Sequence, residues 1–425
     1  MKKVVKRMLP VCLTLSVLLS IWSMSGLTVS ADTATLNVYN WGVYMDDGQG
    51  EGSFSDEKSQ MDVNAAFEEH YKETYGEEIK VNYTTYENNE SMYAKLKAGG
   101  ANYDIVIPSD YMINRMIHED MLEKLDFSNI PNYTNIGEQF KNGSWNYDPA
   151  SEYSVPYMWG TVGIVYNSDV VTGTVNTWDV LWNEKYSGKI LMMNNPRDSF
   201  AIALAKNGKS LNSTNLADWD EAYASLEEQK PLVQAYVTDE SFEKMQSGEA
   251  AIAPCYYGDY LIMKANASEG VNLRFAQITQ QAANKYVDAI CIPKGAQNKT
   301  AAERYINFLC SYEVSLANAN YTGYSSPNTL VQNNDNSSGL YYNYAGDPVV
   351  YPSESTLASF EEFLWLGDAV QGKMDSLWSD LKKSEISPLL YVALAAVVVL
   401  VIVIIILRRV KIKKAEQYSK NKSRG

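Results

Sequence analysis

"KYVDAICIP", Lys285 to Pro293, alternates as a β-strand does and places a carboxylate inside the alternation. Tyr286 and Asp288 fall on one face at period two, while Val287, Ala289 and Cys291 fall on the other. Burying an unpaired carboxylate costs several kcal/mol, so a strand that carries one at its apolar rim calls for a partner. This strand recurs in kind along the chain. "ATLNVYNW" (Ala34–Trp41) and "EEIKVNYTTY" (Glu77–Tyr86) read as strands with a helix over Val63–Tyr75 between them. "NESMYAKLKAGG" continues as a helix, "YDIVIPSDY" as a strand, and "GIVYN", "GKILMMNN", "DEAYASLEEQK", "AAIAPCYYG" and "AAERYINFLCSYEVSLANANYTG" keep the rhythm. Alternating elements of this kind predict an α/β fold around mainly parallel sheets. No repeat of 20 to 50 residues is visible. The length predicts two lobes, with a ligand at the carboxyl ends of the strands. Asp46–Gln60, polar and glycine-containing, predicts a surface loop.

The ends carry other signals. Residues 1–31 have a basic start at Lys2, Lys3, Lys6 and Arg7, an apolar stretch and a small-residue "VSA" before Asp32, the pattern of a secretory signal peptide. Cys12 lacks the small residues that precede a lipidated cysteine. Leu389–Leu407, "LLYVALAAVVVLVIVIIIL", is apolar throughout and long enough to be read as one C-terminal transmembrane helix. The basic tail 408–425 follows and predicts a cytoplasmic end, with the body extracytoplasmic and anchored to the cell membrane.

Composition narrows the function. The formal charge is −15, from 36 Lys and Arg against 51 Asp and Glu, and the bases gather at both ends, so the middle is more acidic still. Such a field excludes nucleic acid as a partner and attracts cations. Cys255, Cys291 and Cys310 stand apart among apolar residues and predict buried free thiols. The two histidines, His70 and His118, sit on acidic helical faces, and no nucleophile elbow, Walker loop or zinc-protease motif occurs. No enzyme, cofactor or metal centre is expected.

What does recur is an aromatic residue beside an acid at a strand end. "YNWGVY" gives Trp41 and Tyr44, "PSDY" gives Ser109, Asp110 and Tyr111, and "NNPRDS" gives Asn194, Asn195 and Asp198. "CYYGDY" gives Tyr256, Tyr257 and Asp259, "KYVD" gives Tyr286 and Asp288, and "TGYSSPN" gives Tyr324. With 31 tyrosines in the chain, no single one of these is informative alone.

Taken in order, these segments, with "YSVPYMWGTVGIVYN", "TWDVLWNEKYSGKI" and "ERYINFL", resemble the substrate-binding proteins of spermidine/putrescine ABC transporters from about Thr35 to Lys382. The resemblance implies a two-lobed, hinged periplasmic-binding-protein fold of type II with a polyamine in the interlobe cleft. Its lobes would be 32–158 with 288–332, and 159–287 with 333–385; its partners would be an ABC permease and ATPase. By position, Trp41, Tyr44, Ser109 and Tyr111 match cleft residues of the first lobe, and Asp198 and Tyr256 those of the second. Tyr286, Asp288 and Tyr324 match the return segment, and Asp259 an acid of the putrescine branch. The chain also departs from the pattern. Val43 and Asn195 stand where acids are common, Phe363 replaces a polar contact, and Tyr256 and Tyr286 replace tryptophans. On this resemblance Asp288 awaits an ammonium group, and charge-assisted bonds with ring faces would replace the cation's hydration. The adjacent phenols Tyr256 and Tyr257 leave a ferric-ion or other small-cation binding protein of the same fold as the alternative.

Overall fold

Asp62 opens the first helix, Val63–Tyr75, by accepting the amide of Ala65 at 2.9 Å, and Gly76 closes it in the left-handed conformation at φ 71°. Local chemistry of this kind builds the elements of the computed structural model, which describes residues 33–49, 61–335 and 344–383. The signal segment 1–31, most of the loop 46–60, and 389–425 lie outside the described residues. The chain divides into two compact units, Met1–Gln371 and Gly372–Gly425. The described part of the second unit is the end of the helix Asp368–Lys382 and the residue that follows it.

The strands are β1 (Ala34–Trp41), β2 (Ile79–Tyr86), β3 (Ile105–Val106), β4 (Ser154–Asn167), β5 (Ile190–Met193), β6 (Val233–Val237), β7 (Ile252–Tyr256), β8 (Leu273–Ala276), β9 (Ala283–Cys291) and β10 (Phe360–Glu361). They join in the order β2-β1-β3-β9-β4-β7-β5-β6, with β10 on β9 and β8 on β4. β1 pairs in parallel with β2 and β3, and β5 in parallel with β6 and β7. The two long strands are antiparallel to each other, and β9 is antiparallel to β3 as well, with only the short β10 parallel to it. β4 pairs antiparallel with β9 through Ser154–Thr161, and its far half, Val162–Asn167, pairs antiparallel with β7 and β8. One 14-residue strand therefore serves both halves of the two-lobed fold.

The expected alternation of faces in Lys285–Pro293 is covered on both sides. Val287, Ala289, Ile290 and Cys291 are within 1% of full burial, and even Asp288 is only 6% exposed. The face that carries Tyr286 and Asp288 is covered by other aromatic side chains, Tyr44 on Asp288 and Tyr256 on Tyr286. The sheets are also less parallel than the rhythm predicts, because β4 and β9 are shared strands rather than parts of βαβ units. "AAERYINFLCSYEVSLANANYTG" forms two helices, Lys299–Leu309 and Tyr312–Thr322, broken at Cys310 and Ser311. The three cysteines in the described residues are buried and free.

One expected element needs correction. Among the described residues no helix is long and apolar enough to cross a membrane. The longest of them, Asp368–Lys382, has 15 residues, whereas a bilayer core needs about 20. The stretch 389–407, on which the transmembrane expectation rested, lies outside the described residues. The fold class that stands is the two-lobed mixed α/β architecture.

Gly163 sits where β4 passes from one partner set to the other. A Cβ there would lie 2.5 Å from the carbonyl oxygen of Ala276 and 2.5 Å from the ring of Phe275. The backbone of β8 cannot give way without breaking its ladder. Gly163→Ala is expected to lower stability by about 1–3 kcal/mol in urea unfolding. Gly42→Ala, where nothing lies within 4 Å, is expected to leave the midpoint unchanged.

Candidate functional site

The strand ends β1, β5, β7 and β9 open on one cavity of about 460 Å³, within the usual range of small-molecule sites. β1 delivers Trp41, whose indole N–H donates to the carbonyl of Ile107 at 2.9 Å while its ring packs on Tyr86. The chain then reverses at Gly42 and Val43. Val43 is 61% exposed at φ 50°, a conformation that a β-branched residue adopts only under constraint. The reversal turns Tyr44 inward, where Tyr157 donates to its carbonyl at 2.7 Å and its own phenol donates to Asp288 Oδ2 at 2.6 Å.

Ser109 precedes the helix Asp110–His118 and bridges to Asp288 through the backbone. Asn89 holds this corner, donating to Ser109 Oγ at 3.0 Å and to the Tyr111 hydroxyl at 3.2 Å. Tyr111 in turn donates to Glu90 at 2.8 Å.

Across the cavity, Asn195 caps the helix Pro196–Lys206 and Asp198 lies in its first turn, where the positive end of the helix favours an anion. Tyr256, at the end of β7, donates to Asp198 Oδ2 at 2.8 Å. Asp259 follows in the helix Tyr257–Ala265 and accepts from Tyr324 at 2.6 Å. Gly258 makes this possible, since a Cβ there would lie 2.1 Å from the Tyr324 ring. Three carboxylates thus each hold one phenol. The rings are joined edge to face: Tyr44 to Tyr324 at 5.2 Å, Tyr324 to Tyr286 at 6.2 Å, and Tyr286 to Tyr256 at 5.2 Å.

The ten residues named from the sequence all line this cavity. Others line it too. Asp110 is fully buried, takes the Tyr111 amide on Oδ1, and has no hydrogen-bond partner on Oδ2 among the described residues. Glu87, Asp239, Asn284 and Phe363 complete the walls. Asn89 is the first residue of the helix Asn89–Lys97 and Asp239 lies in no aromatic motif, so neither carried a signal. The adjacent phenols diverge: Tyr256 faces the cavity, while Tyr257 is buried against Tyr260 and Phe275 in an apolar cluster. Among the described residues no group of three or more His, Cys, Asp or Glu is placed to hold a metal ion.

Charge is the dominant property of the site. Burial pushes Asp198 and Asp288 up to about 6 and Asp259 to about 7, and the phenols that donate to them pull back only partly. None of the three has a Lys or Arg within ion-pair distance among the described residues. Asp288 keeps Oδ1 without a hydrogen-bond partner.

These shifts set a pH dependence of stability. An acid whose folded value is raised binds a proton more readily in the native state than in the unfolded chain. Folding is therefore favoured as pH falls toward the unfolded value near 4, and the stabilisation is lost as pH rises through about 6 to 7. The melting temperature of the free protein is expected to rise between pH 8 and pH 5, and Asp259→Asn and Asp288→Asn should each flatten that rise.

Residues 65–380 match the family described as bacterial extracellular solute-binding protein. The spermidine/putrescine-binding periplasmic protein of Salmonella typhimurium is 32% identical over 343 residues, 80% of this chain and 89% of that protein. The putrescine-binding periplasmic protein SpuD of Pseudomonas aeruginosa is 27% identical over 376 residues, 85% of this chain and 96% of that one. Among solved structures, the spermidine/putrescine ABC transporter substrate-binding protein of Streptococcus pneumoniae covers 82% of this chain and 99% of its own at 34% identity, with a TM-score of 0.65. A putative spermidine/putrescine ABC transporter protein of Listeria monocytogenes has the same coverage at 30% identity and a TM-score of 0.71. A shared pattern over most of the length and a shared fold show that the chain belongs to the bacterial extracellular solute-binding protein family.

Proposed function

We propose that this chain is the extracytoplasmic substrate-binding component of an ABC importer and takes a polyamine, spermidine or putrescine, into the cavity for delivery to a permease. The carrying observation is that three largely buried carboxylates share an aromatic cavity with phenols and no basic side chain as partners. A ligand suited to that cavity has several separated positive charges and an apolar chain between them. Its ammonium groups replace lost hydration at Asp198, Asp259 and Asp288, and its methylenes lie along the rings of Trp41, Tyr44, Tyr111, Tyr256, Tyr286 and Tyr324. Ser109 supports Asp288. The names of the relatives, all polyamine-binding proteins, support the same ligand class.

The lobes meet where β4 and β9 cross, with Met158 opposite Asp288 in the ladder. Closure about this crossing brings Tyr44 and Ser109 from one lobe and Asp198 and Tyr256 from the other onto one ligand. The expected result is high-affinity binding of spermidine or putrescine by calorimetry. Asp288→Asn should weaken it by roughly 30-fold or more, because removing one charge from a buried pair costs ~2–5 kcal/mol. The exposed Asp220→Asn should leave the affinity as it is. Equal affinity in all three proteins would remove Asp288 from the site, and no heat with any polyamine would overturn the function.

A further inference from the structure

Arg197 is a buried cation packed behind the cavity wall. It is the second residue of the helix Pro196–Lys206 and is only 3% exposed. Its Nη1 donates to the carbonyl of Leu211 at 2.9 Å and its Nη2 to Asn212 Oδ1 at 2.8 Å. Its guanidinium plane lies over the Phe363 ring, 3.9 Å from the centroid. No Asp or Glu lies within ion-pair distance of it among the described residues. The segment after β10 that carries Phe363 is tied to the same anchor: Asn212 donates to the Glu362 carbonyl at 2.8 Å, and the Leu364 amide donates back to Asn212 at 3.0 Å.

We propose that Arg197 is a positioning residue for the ligand site, a fixed buried cation that keeps the neighbouring Asp198 ionised while its own hydrogen bonds hold it away from that carboxylate. A buried guanidinium ordinarily finds a carboxylate fork. Here two neutral acceptors and an aromatic face take its place, so the positive charge stays whole and acts on its surroundings as a field. The groups it acts on are Asp198 on its own helix, Tyr111 and Asp110 from the helix Asp110–His118, and Glu361 from β10. Asp198 is faced by Tyr256 from β7, Glu90 from the helix Asn89–Lys97 and Asp288 from β9. Burial, Glu90 and Asp288 favour its protonated form; Tyr256, Arg197 and the positive end of its helix oppose them. An ammonium ligand needs the ionised form. A guanidinium in direct contact would give that and then occupy the ligand's place, whereas one drawn back by Leu211 and Asn212 leaves the carboxylate open. Phe363, with one face taken by Arg197, closes the wall without offering that face to the ligand.

This inference rests on the polyamine reading for its ligand but not for its electrostatics, and the test separates the two. Carboxyl carbon NMR follows the titration of Asp198 in the free protein for wild type, Arg197→Gln and Arg197→Lys. In parallel, calorimetry follows spermidine affinity between about pH 5 and pH 9. Wild type and the lysine variant should titrate near 6, and the glutamine variant about one unit or more higher, the size expected for losing a nearby opposite charge. The rise of spermidine affinity with pH should move by the same amount in Arg197→Gln, which at the alkaline end binds at least as tightly as wild type. An unmoved Asp198 titration, or an affinity lowered equally at every pH, makes Arg197 merely structural and overturns the proposal. If the glutamine variant does not fold, the wild type decides: an Asp198 midpoint of about 8 or above shows that Arg197 does not hold it ionised. If wild type binds no spermidine, the polyamine reading falls and the NMR titration still settles Arg197.

Discussion

Three carboxylates held out of water by a ring of phenols set the terms for this molecule. Each loses hydration that a neutral hydroxyl restores only in part, because one hydrogen bond to a phenol is weaker than the several a carboxylate makes in water. Lysine or arginine partners would have lowered that cost. The protein does without them at Asp198, Asp259 and Asp288, and the deficit appears as proton affinities raised to about 6 or 7. A phenol leaves the charge of its carboxylate intact, so the site stays able to take a cation.

Holding such a site needs a rigid frame, and the frame is the pair of long strands. β9 puts Tyr286 and Asp288 two residues apart on one side, and β4 pairs with it from Ser154 to Thr161 with one irregularity between Pro156 and Met158. Gly160 lies opposite Tyr286, where a Cβ would meet its hydroxyl at 2.6 Å. The absent side chains at Gly160 and Gly258 are what let the rings of Tyr286 and Tyr324 approach the backbone beside the cavity. The site is therefore set by sheet register and by two glycines as much as by the residues that line it.

Much of this was legible in the sequence because it is local. Val63–Tyr75 and Ala34–Trp41 are found with the bounds their periodicity gives, and the aromatic-acid motifs all reach the same cavity. What period and propensity do not carry is pairing. Nothing in "GIVYN" tells that it is the far end of a 14-residue strand with two partner sets, and nothing in "YDIVIPSDY" tells that its strand shrinks to Ile105–Val106 before a helix begins at Asp110. Asp239 and Asn89 reach the cavity only through tertiary folding. The phenol partner of each acid was equally hidden: Tyr44 and Asp288 are 244 residues apart.

The departures from the family pattern acquire physical roles once the contacts are known. Asn195, where the resemblance implies an acid, accepts the amides of Arg197 and Asp198 as a helix cap, a task Asn performs about as well as Asp without adding charge. Phe363, where the resemblance implies a polar contact, supplies the face on which Arg197 rests. Tyr256, where the resemblance implies a tryptophan, reaches Asp198 with a hydroxyl. Together Asn195 leaves the first turn without a further charge beside Asp198, Tyr256 gives it a neutral donor, and Phe363 backs the guanidinium next to it in sequence. All three side chains bear on Asp198, so its surroundings are set by a neutral cap, one phenol donor and an aromatic-backed guanidinium rather than by an ion pair.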